Sequence, residues 1–331
     1  MMKKINKLNR ILAAVLIGQL IVVAVVFWPR SAATTTGGSL IPDYKADQVT
    51  SLTIRDGEGN QIRLVRKEGK WVLPEADDFP ALESKVNDFL SKLAGLKTNR
   101  RVAETASSQK RLKVAPDEFA SRIDFEQVDG GRHTLYIGSA ASYNVTHVRL
   151  DAQPEVYLVS GLSPTDAGAN YVGWIDTKYS ATPADQIKAI MIENRNGQLK
   201  LVRTEAGSWT LEGLPADQAL DETKVNSLTS RLAGIYMTRP LGKQVKAEYG
   251  LDKPTATITV LRVDQNGQES SYTLRIGAKN EQEGSYVIST SESPYIVQTS
   301  EYTVQEFLEW GQKDLVKPPA TPSPQPTSQG K

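Results

Sequence analysis

The chain has 331 residues, with 39 Lys and Arg against 38 Asp and Glu, two histidines and no cysteine. This composition excludes disulfides, thiolate metal sites and a cysteine nucleophile, and a formal net charge of +1 leaves no global basic footprint for nucleic acid. The length suits two ordinary domains.

Residues 1–10, "MMKKINKLNR", carry Lys3, Lys4, Lys7 and Arg10 without an acid. Residues 11–28 follow, "ILAAVLIGQLIVVAVVFW", in which Gln19 is the one strongly polar side chain. As a helix this run reaches about 27 Å, close to the hydrocarbon thickness of a bilayer. Trp28 sits where an interfacial aromatic belongs, and the basic flank predicts a cytoplasmic N-terminus. "SAA" at 31–33 would also suit a signal peptidase. The apolar run is longer than a usual signal-peptide core, however, and Pro29-Arg30 follows it directly, so a retained signal-anchor is expected. With residues 1–30 contributing five basic groups, the remaining 301 residues carry a net charge of about −4. Residues 29–46 read as a linker.

Beyond the linker the chain says the same thing twice. "SKVNDFLSKLAGL" from Ser84 returns as "TKVNSLTSRLAGI" from Thr223, 139 positions later. Upstream, "GNQIRLVRKEGKWVL" matches "NGQLKLVRTEAGSWTL", with Trp71 falling on Trp209. Downstream, "TLYIG" ending at Gly138 matches "TLRIG" ending at Gly277. Two copies at so long a period imply tandem similar domains rather than a solenoid. The expected units are residues 47–181 and 182–316, with a disordered Pro/Ser/Thr-rich tail over 317–331.

Each unit opens with period-two strands around a turn ("GEGN", "NRNG"), Ile62 and Leu64 facing inward in one copy and Leu199 and Leu201 in the other. A helix comes next. Val86, Phe89, Leu90 and Leu93 make an apolar stripe, repeated by Val225, Leu228, Leu232 and Ile235. Asp221 is the expected N-cap of the second helix, Pro80 suits the first turn of the other, and Gly95 and Gly234 suit left-handed stops. Hairpins ending in "TLYIG" and "TLRIG" and two further short strands complete each unit. Trp174 and Trp310 mark short helical closers. Strands, one helix, then strands predict an α+β fold in which one amphipathic helix covers a mainly antiparallel sheet.

Chemistry-bearing patterns are scarce. His133 and His147 have no partner in the second copy and read as ordinary surface histidines. "EADDF" at 75–79 lacks the spacing of a calcium loop and reads as a solvated approach to the helix. No nucleophile elbow, phosphate loop or dinucleotide fingerprint occurs. A carboxylate pair assembled by folding needs no motif, so a hydrolase stays open, but the expectation is no enzyme, no catalytic residue, no metal and no cofactor. Trp71 and Trp209 could stack on sugars, though matched placement in both copies favours core anchors. "NVT" at 144 is a glycosylation sequon in form alone.

"SWTL", the helix, "AEYGLDKP" at 247–254, "LRIG" and "SYVI" together resemble the DUF4340 family, and with both copies the resemblance spans 48–310. The first copy has "RLKV" where the second has "YGLD"; aligning Leu112 with Leu251 puts Arg111 at the position of Gly250. In the second copy Gly250 would end a short helix left-handed, Leu251 closing over it. The resemblance implies a membrane-anchored extracytoplasmic protein of a bacterial cytoplasmic membrane. It also implies a partner in an ABC-type transport or motility complex, and no catalytic residue. A glycan- or peptide-binding module of the cell envelope is the alternative.

Overall fold

The computed structural model describes residues 15–19, 37–151 and 153–317. Among them no helix is long and apolar enough to cross a membrane. The expected span 11–28 lies outside the described residues except for 15–19, which are helical with exposed side chains.

In the first half the strands are β1 (Val49–Asp56), β2 (Gln61–Lys67), β3 (Lys70–Leu73) and β4 (Phe79–Pro80), followed by helix α1 (Glu83–Ala94). Then come β5 (Arg101–Ala103), the short helix α2 (Ala106–Arg111), β6 (Val114–Ala115), β7 (Glu118–Phe119), β8 (Ser121–Gln127), β9 (Arg132–Ser142), β10 (Val145–Leu150) and β11 (Val156–Ser160). The second half has β12 (Lys178–Ser180), β13 (Ile187–Asn194), β14 (Gly197–Arg203), β15 (Trp209–Leu211) and helix α3 (Glu222–Leu232). It continues with β16 (Ile235–Tyr236), β17 (Arg239–Gly242), β18 (Ala256–Val263), β19 (Glu269–Asn280), β20 (Ser285–Thr290), β21 (Ile296–Ser300) and helix α4 (Glu301–Glu309).

Two large antiparallel sheets result, in the orders β4-β3-β2-β1-β8-β9-β10-β11-β5 and β15-β14-β13-β18-β19-β20-β21-β17. Setting aside the extra edge strand β4, the two orders are the same, so the repeated sequence folds into a repeated topology. Period-two alternation explains the pairing. In β1 and β2, Leu52 and Leu64 are partners, as are Ile54 and Ile62; all four are fully buried, while Arg63 between them is exposed. In the other sheet Ile190 opposes Leu201 and Ile192 opposes Leu199 in the same way.

The helices lie on these apolar faces. Val86, Phe89, Leu90 and Leu93 of α1 are buried, as are Val225, Leu228 and Leu232 of α3. Ile235 is buried too, but it belongs to β16 rather than to the helix. Each such side chain contributes about 1.5–3 kcal/mol by leaving water. Asp221 caps α3 as expected, accepting from the Thr223 and Lys224 N–H groups. Pro80 does not start α1. It pairs with Val72 in β4, and the helix begins three residues later after Leu82, whose side chain makes no cap. Gly95 follows α1 in right-handed geometry (φ −77°), because the chain continues into Leu96 packed on the core, without a left-handed reversal.

One helix per sheet holds for the first half alone. In the second, α4 packs beside α3, burying Val304, Phe307 and Leu308. Its counterpart in the first half is a pair of 3-10 turns, Pro164–Ala167 and Tyr171–Gly173, ending at Trp174, whose ring meets Phe89 edge-on at 5.4 Å. An ion pair ties helix to closer in both copies: Lys92 Nζ lies 2.8 Å from Asp166, and Arg231 Nε lies 3.2 Å from Glu306. Lys92 and Arg231 are 139 positions apart, so the repeat extends to this contact. Leu40 and Ile41, read from sequence as linker, are buried, and the Leu40 N–H donates to Leu96 O at 3.0 Å. Most buried apolar residues of both halves join in one connected core, with smaller separate clusters around Tyr249 and Val287 and around Val114 and Tyr136.

Candidate functional site between the two halves

The acidic stretch at 75–79 is solvated as expected, with Glu75 and Asp77 exposed and the Asp78 side chain 43% exposed, but it also reaches the second half. After the 3-10 turn Pro74–Ala76, Asp77 (φ 52°) and Asp78 (φ 62°) both adopt the left-handed region, which Asp tolerates better than most residues. This reversal aims the stretch at the second half. Asp77 Oδ2 accepts the Lys243 backbone N–H at 2.6 Å, and Asp78 O accepts from Tyr295 Oη at 2.9 Å. Phe79 meets Tyr295 edge-on with centroids 4.8 Å apart, Lys243 Nζ lies 4.8 Å from the centre of the same ring, and Lys67 pairs with Asp78 at 2.6 Å. Gly242 suits this joint because its φ of 102° strains any other residue; a Cβ there would also come 2.5 Å from Asp77 Oδ2, a side-chain end that can turn aside.

Tyr295 is held from behind. Its carbonyl accepts from Tyr179 Oη at 2.6 Å, and the same hydroxyl accepts the Thr290 N–H at 3.1 Å. Burial pushes the Tyr179 phenol up to about 12. Tyr179 belongs to β12, which precedes the second sheet in the chain yet pairs with β16 inside that half.

Beside this joint lies a cleft of about 510 Å³ on the face of the second sheet opposite α3 and α4. Val287, Gln298 and Arg239 form one row across β20, β21 and β17, each opposite the next. Leu241, Tyr249, Lys246 and Lys279 line the cleft with the row, and Glu75 and Tyr171 line it from the first half. The turn that carries Tyr249 ends left-handed at Gly250 (φ 64°), as the sequence implied. Gln298 is 5% exposed and Tyr249 7% as whole residues, and the carboxamide of the first and the hydroxyl of the second make no hydrogen bond among the described residues. Neither polar end is among the buried unpaired atoms, which are Arg149 Nη2 and Ser180 Oγ, so both keep contact with solvent in the cleft. Arg239 has one loose carboxylate neighbour, Glu283 at 3.9 Å.

The first half treats the equivalent row differently. There His147 opposes Leu158, whose N–H bonds the Arg100 carbonyl, so leucine stands where the second half has Gln298. The turn above it also differs from the sequence alignment: Lys113 (φ 57°) is the left-handed residue, not Arg111. Gly138 and Gly277 settle the register. A Cβ on Gly138 would meet Leu112 O at 2.1 Å, and one on Gly277 would meet Tyr249 O at 2.1 Å, so Leu112 matches Tyr249 and Lys113 matches Gly250.

The other singled-out residues are structural. Trp71 is 1% exposed and Trp209 is buried, with Arg203 over its ring at 5.7 Å. His133 stacks on Phe125 at 5.1 Å, and Ser139 O accepts from His147 Nδ1 at 2.8 Å. Among the described residues no three His, Asp or Glu side chains gather as a metal site requires.

Two antiparallel sheets of one strand order, each backed by helix or turn and meeting at a polar cleft, define a duplicated α+β protein. The family model described as "Domain of unknown function (DUF4340)" matches residues 71–254 and 213–322, and the chain belongs to that family. No curated protein and no solved structure matches it.

Proposed function

We propose that this protein is a membrane-anchored extracytoplasmic accessory protein, non-enzymatic, that docks a partner of an ABC-type transport or motility complex. Residues 11–28 form its single-pass anchor with the N-terminus in the cytoplasm. The tandem units 47–181 and 182–316 are its working part. One observation carries the reading: the cleft between the halves is lined by polar side chains, Gln298 and Tyr249 among them, that make no hydrogen bond among the described residues and face solvent, on a scaffold otherwise spent on packing. The apolar run with its basic flank supports the anchor.

Mild cross-linking in intact membranes, followed by affinity purification, tests it. A transporter or envelope membrane protein recovered in proportion to bait is the expected result. Recovery of none, or a soluble chain lacking residues 1–30 in the envelope fraction, refutes it. The rival reading, stacking of cell-wall glycans on Trp71, has lost its support, because that ring offers no free face. A peptide ligand is favoured by the cleft itself.

A further inference from the structure

The end of the first sheet at which the chain joins the fold differs in chemistry from the same end of the second. The Thr98 N–H donates to Gly38 O at 3.1 Å and Ser39 bridges to Lys97, so residues 38–39 lie against 97–98. Lys97, Asn99 and Arg100 line a cleft of about 320 Å³ together with Val145 and Ser160. Val145 opposes both Ser142 and Ser160, which sets the β9–β10 tip at this same end. Residues 139–144, Ser-Ala-Ala-Ser-Tyr-Asn, carry no charge, and Tyr143 at the tip is 98% exposed. Lys97 and Arg100 are exposed and have no carboxylate partner among the described residues, whereas Arg101 pairs with Glu104 at 2.8 Å. The second half keeps the topology and reverses the charge. Its tip, residues 278–283, Ala-Lys-Asn-Glu-Gln-Glu, exposes Glu281 and Glu283 and has no aromatic ring. Tyr236 and Arg239 stand there 139 positions after Lys97 and Arg100, and Arg239 has Glu283 at 3.9 Å.

We propose that this end of the first half seats on the anionic headgroup surface of the bilayer that holds the anchor. The inference rests on the anchor proposed above and goes further, in giving the folded part an orientation on the membrane. A tyrosine ring suits the headgroup layer because it is apolar in body and polar at the tip. Cations without an internal partner are free to meet lipid phosphates, and each one near an anionic surface strengthens the contact about fivefold. The tether selects the bilayer as occupant. Residues 29–36 separate the anchor from Gly37, and at about 3.3–3.6 Å per residue they reach about 30 Å at most, so this end cannot leave the vicinity of the membrane. Because the chain beyond residue 30 is net negative, most of its surface is repelled by anionic lipid. Lys97 and Arg100 give one end the opposite sign, while Glu281 and Glu283 turn the matching end of the second half away.

The chain has no cysteine, so a single labelling site can be introduced. Full-length Ser142→Cys, and Gln282→Cys on the second tip, each labelled with NBD, are reconstituted into vesicles of phosphatidylcholine and phosphatidylglycerol containing a headgroup nitroxide lipid. Nitroxide should quench the label of Ser142→Cys roughly threefold more than that of Gln282→Cys. The contrast should vanish in phosphatidylcholine alone, at high salt, or when Lys97→Glu and Arg100→Glu are added. Those two side chains are exposed, so the melting temperature in micelles should not move. Tyr143→Ser, which leaves the charges in place, should weaken the contrast by about half. Equal quenching at both tips, or a contrast that survives removal of the anionic lipid, would overturn the seat. Vesicles that carry the chain on flotation yet show no contrast sink the seat alone. A chain left behind on flotation sinks the anchor, and the seat with it.

Discussion

Gly277→Ala places one methyl group where the fold has left no room. The added Cβ would sit 2.1 Å from the Tyr249 carbonyl oxygen and 3.1 Å from a Leu251 methyl, whereas real Cβ atoms essentially never approach anything closer than 3.0 Å. Strand β19 and the Tyr249 turn must therefore part by about 0.9 Å, and both neighbours are backbone or buried. Gly277 has no positive φ, so the cost is steric rather than torsional. Overpacking of this kind costs about 1–3 kcal/mol, and more where backbone must move. We expect about 3 kcal/mol, read as a lowered urea midpoint at unchanged slope for the full chain in micelles. Gly138→Ala should cost the same, because its Cβ meets Leu112 O at the same 2.1 Å. Gly284→Ala is the contrast: its φ is 60° but nothing lies within 4 Å, so only left-handed strain applies, about 1 kcal/mol. A loss below about 0.5 kcal/mol in either Gly277→Ala or Gly138→Ala would refute the proposed registration of turn on strand.

Leu232→Asp should unfold the second half, since Leu232 is fully buried and an unpaired carboxylate there costs several kcal/mol; a second-half melting transition that stays in place would contradict the helix assignment. Asp221→Ala should lower stability by about 1 kcal/mol through loss of two cap bonds and raise amide exchange in the first turn of α3, while Leu82→Ala should not touch the cap of α1. Tyr179 supplies a pH test. Its folded pKa is raised above the unfolded value of 10, so its stabilising share is complete below pH 10 and is lost as pH climbs toward 12. The chain should lose about 2 kcal/mol across that window from this group. Tyr179→Phe should flatten that part of the profile and cost about 1–3 kcal/mol at neutral pH, because Tyr295 O and Thr290 N lose their partner. An alkaline profile identical in the variant would show that the phenol is not the titrating group.

The helices, inner strand faces and turns were legible because each depends on neighbours a few residues apart. Val86, Phe89, Leu90 and Leu93 announce a buried stripe by spacing alone, and Asp221 announces a cap by standing just before one. The misreadings occurred where a distant segment decides. Pro80 looks like a helix start, but β3 offers it an edge to pair with. Asp77 and Asp78 look solvated and are, but nothing near them in the chain shows that Lys243 and Tyr295, more than 160 residues on, also bond to them. Leu40 and Ile41 look like tether until the end of α1 supplies a surface to bury them. Lys113 could not be recognised as the left-handed residue from its type, because lysine carries no such signal; the carbonyl pressed against Gly138 reveals it.

By itself the amino-acid order determined that this protein is a doubled α+β unit of the DUF4340 kind, because repetition, alternation and helical spacing are written along the chain. Only the tertiary structure decided that the halves share one core and meet at a cleft holding Gln298, Tyr249 and Arg239. Those three residues are ordinary in their own neighbourhoods. What makes them a candidate site is convergence on one cleft, and that cleft forms only when segments remote in sequence close around it.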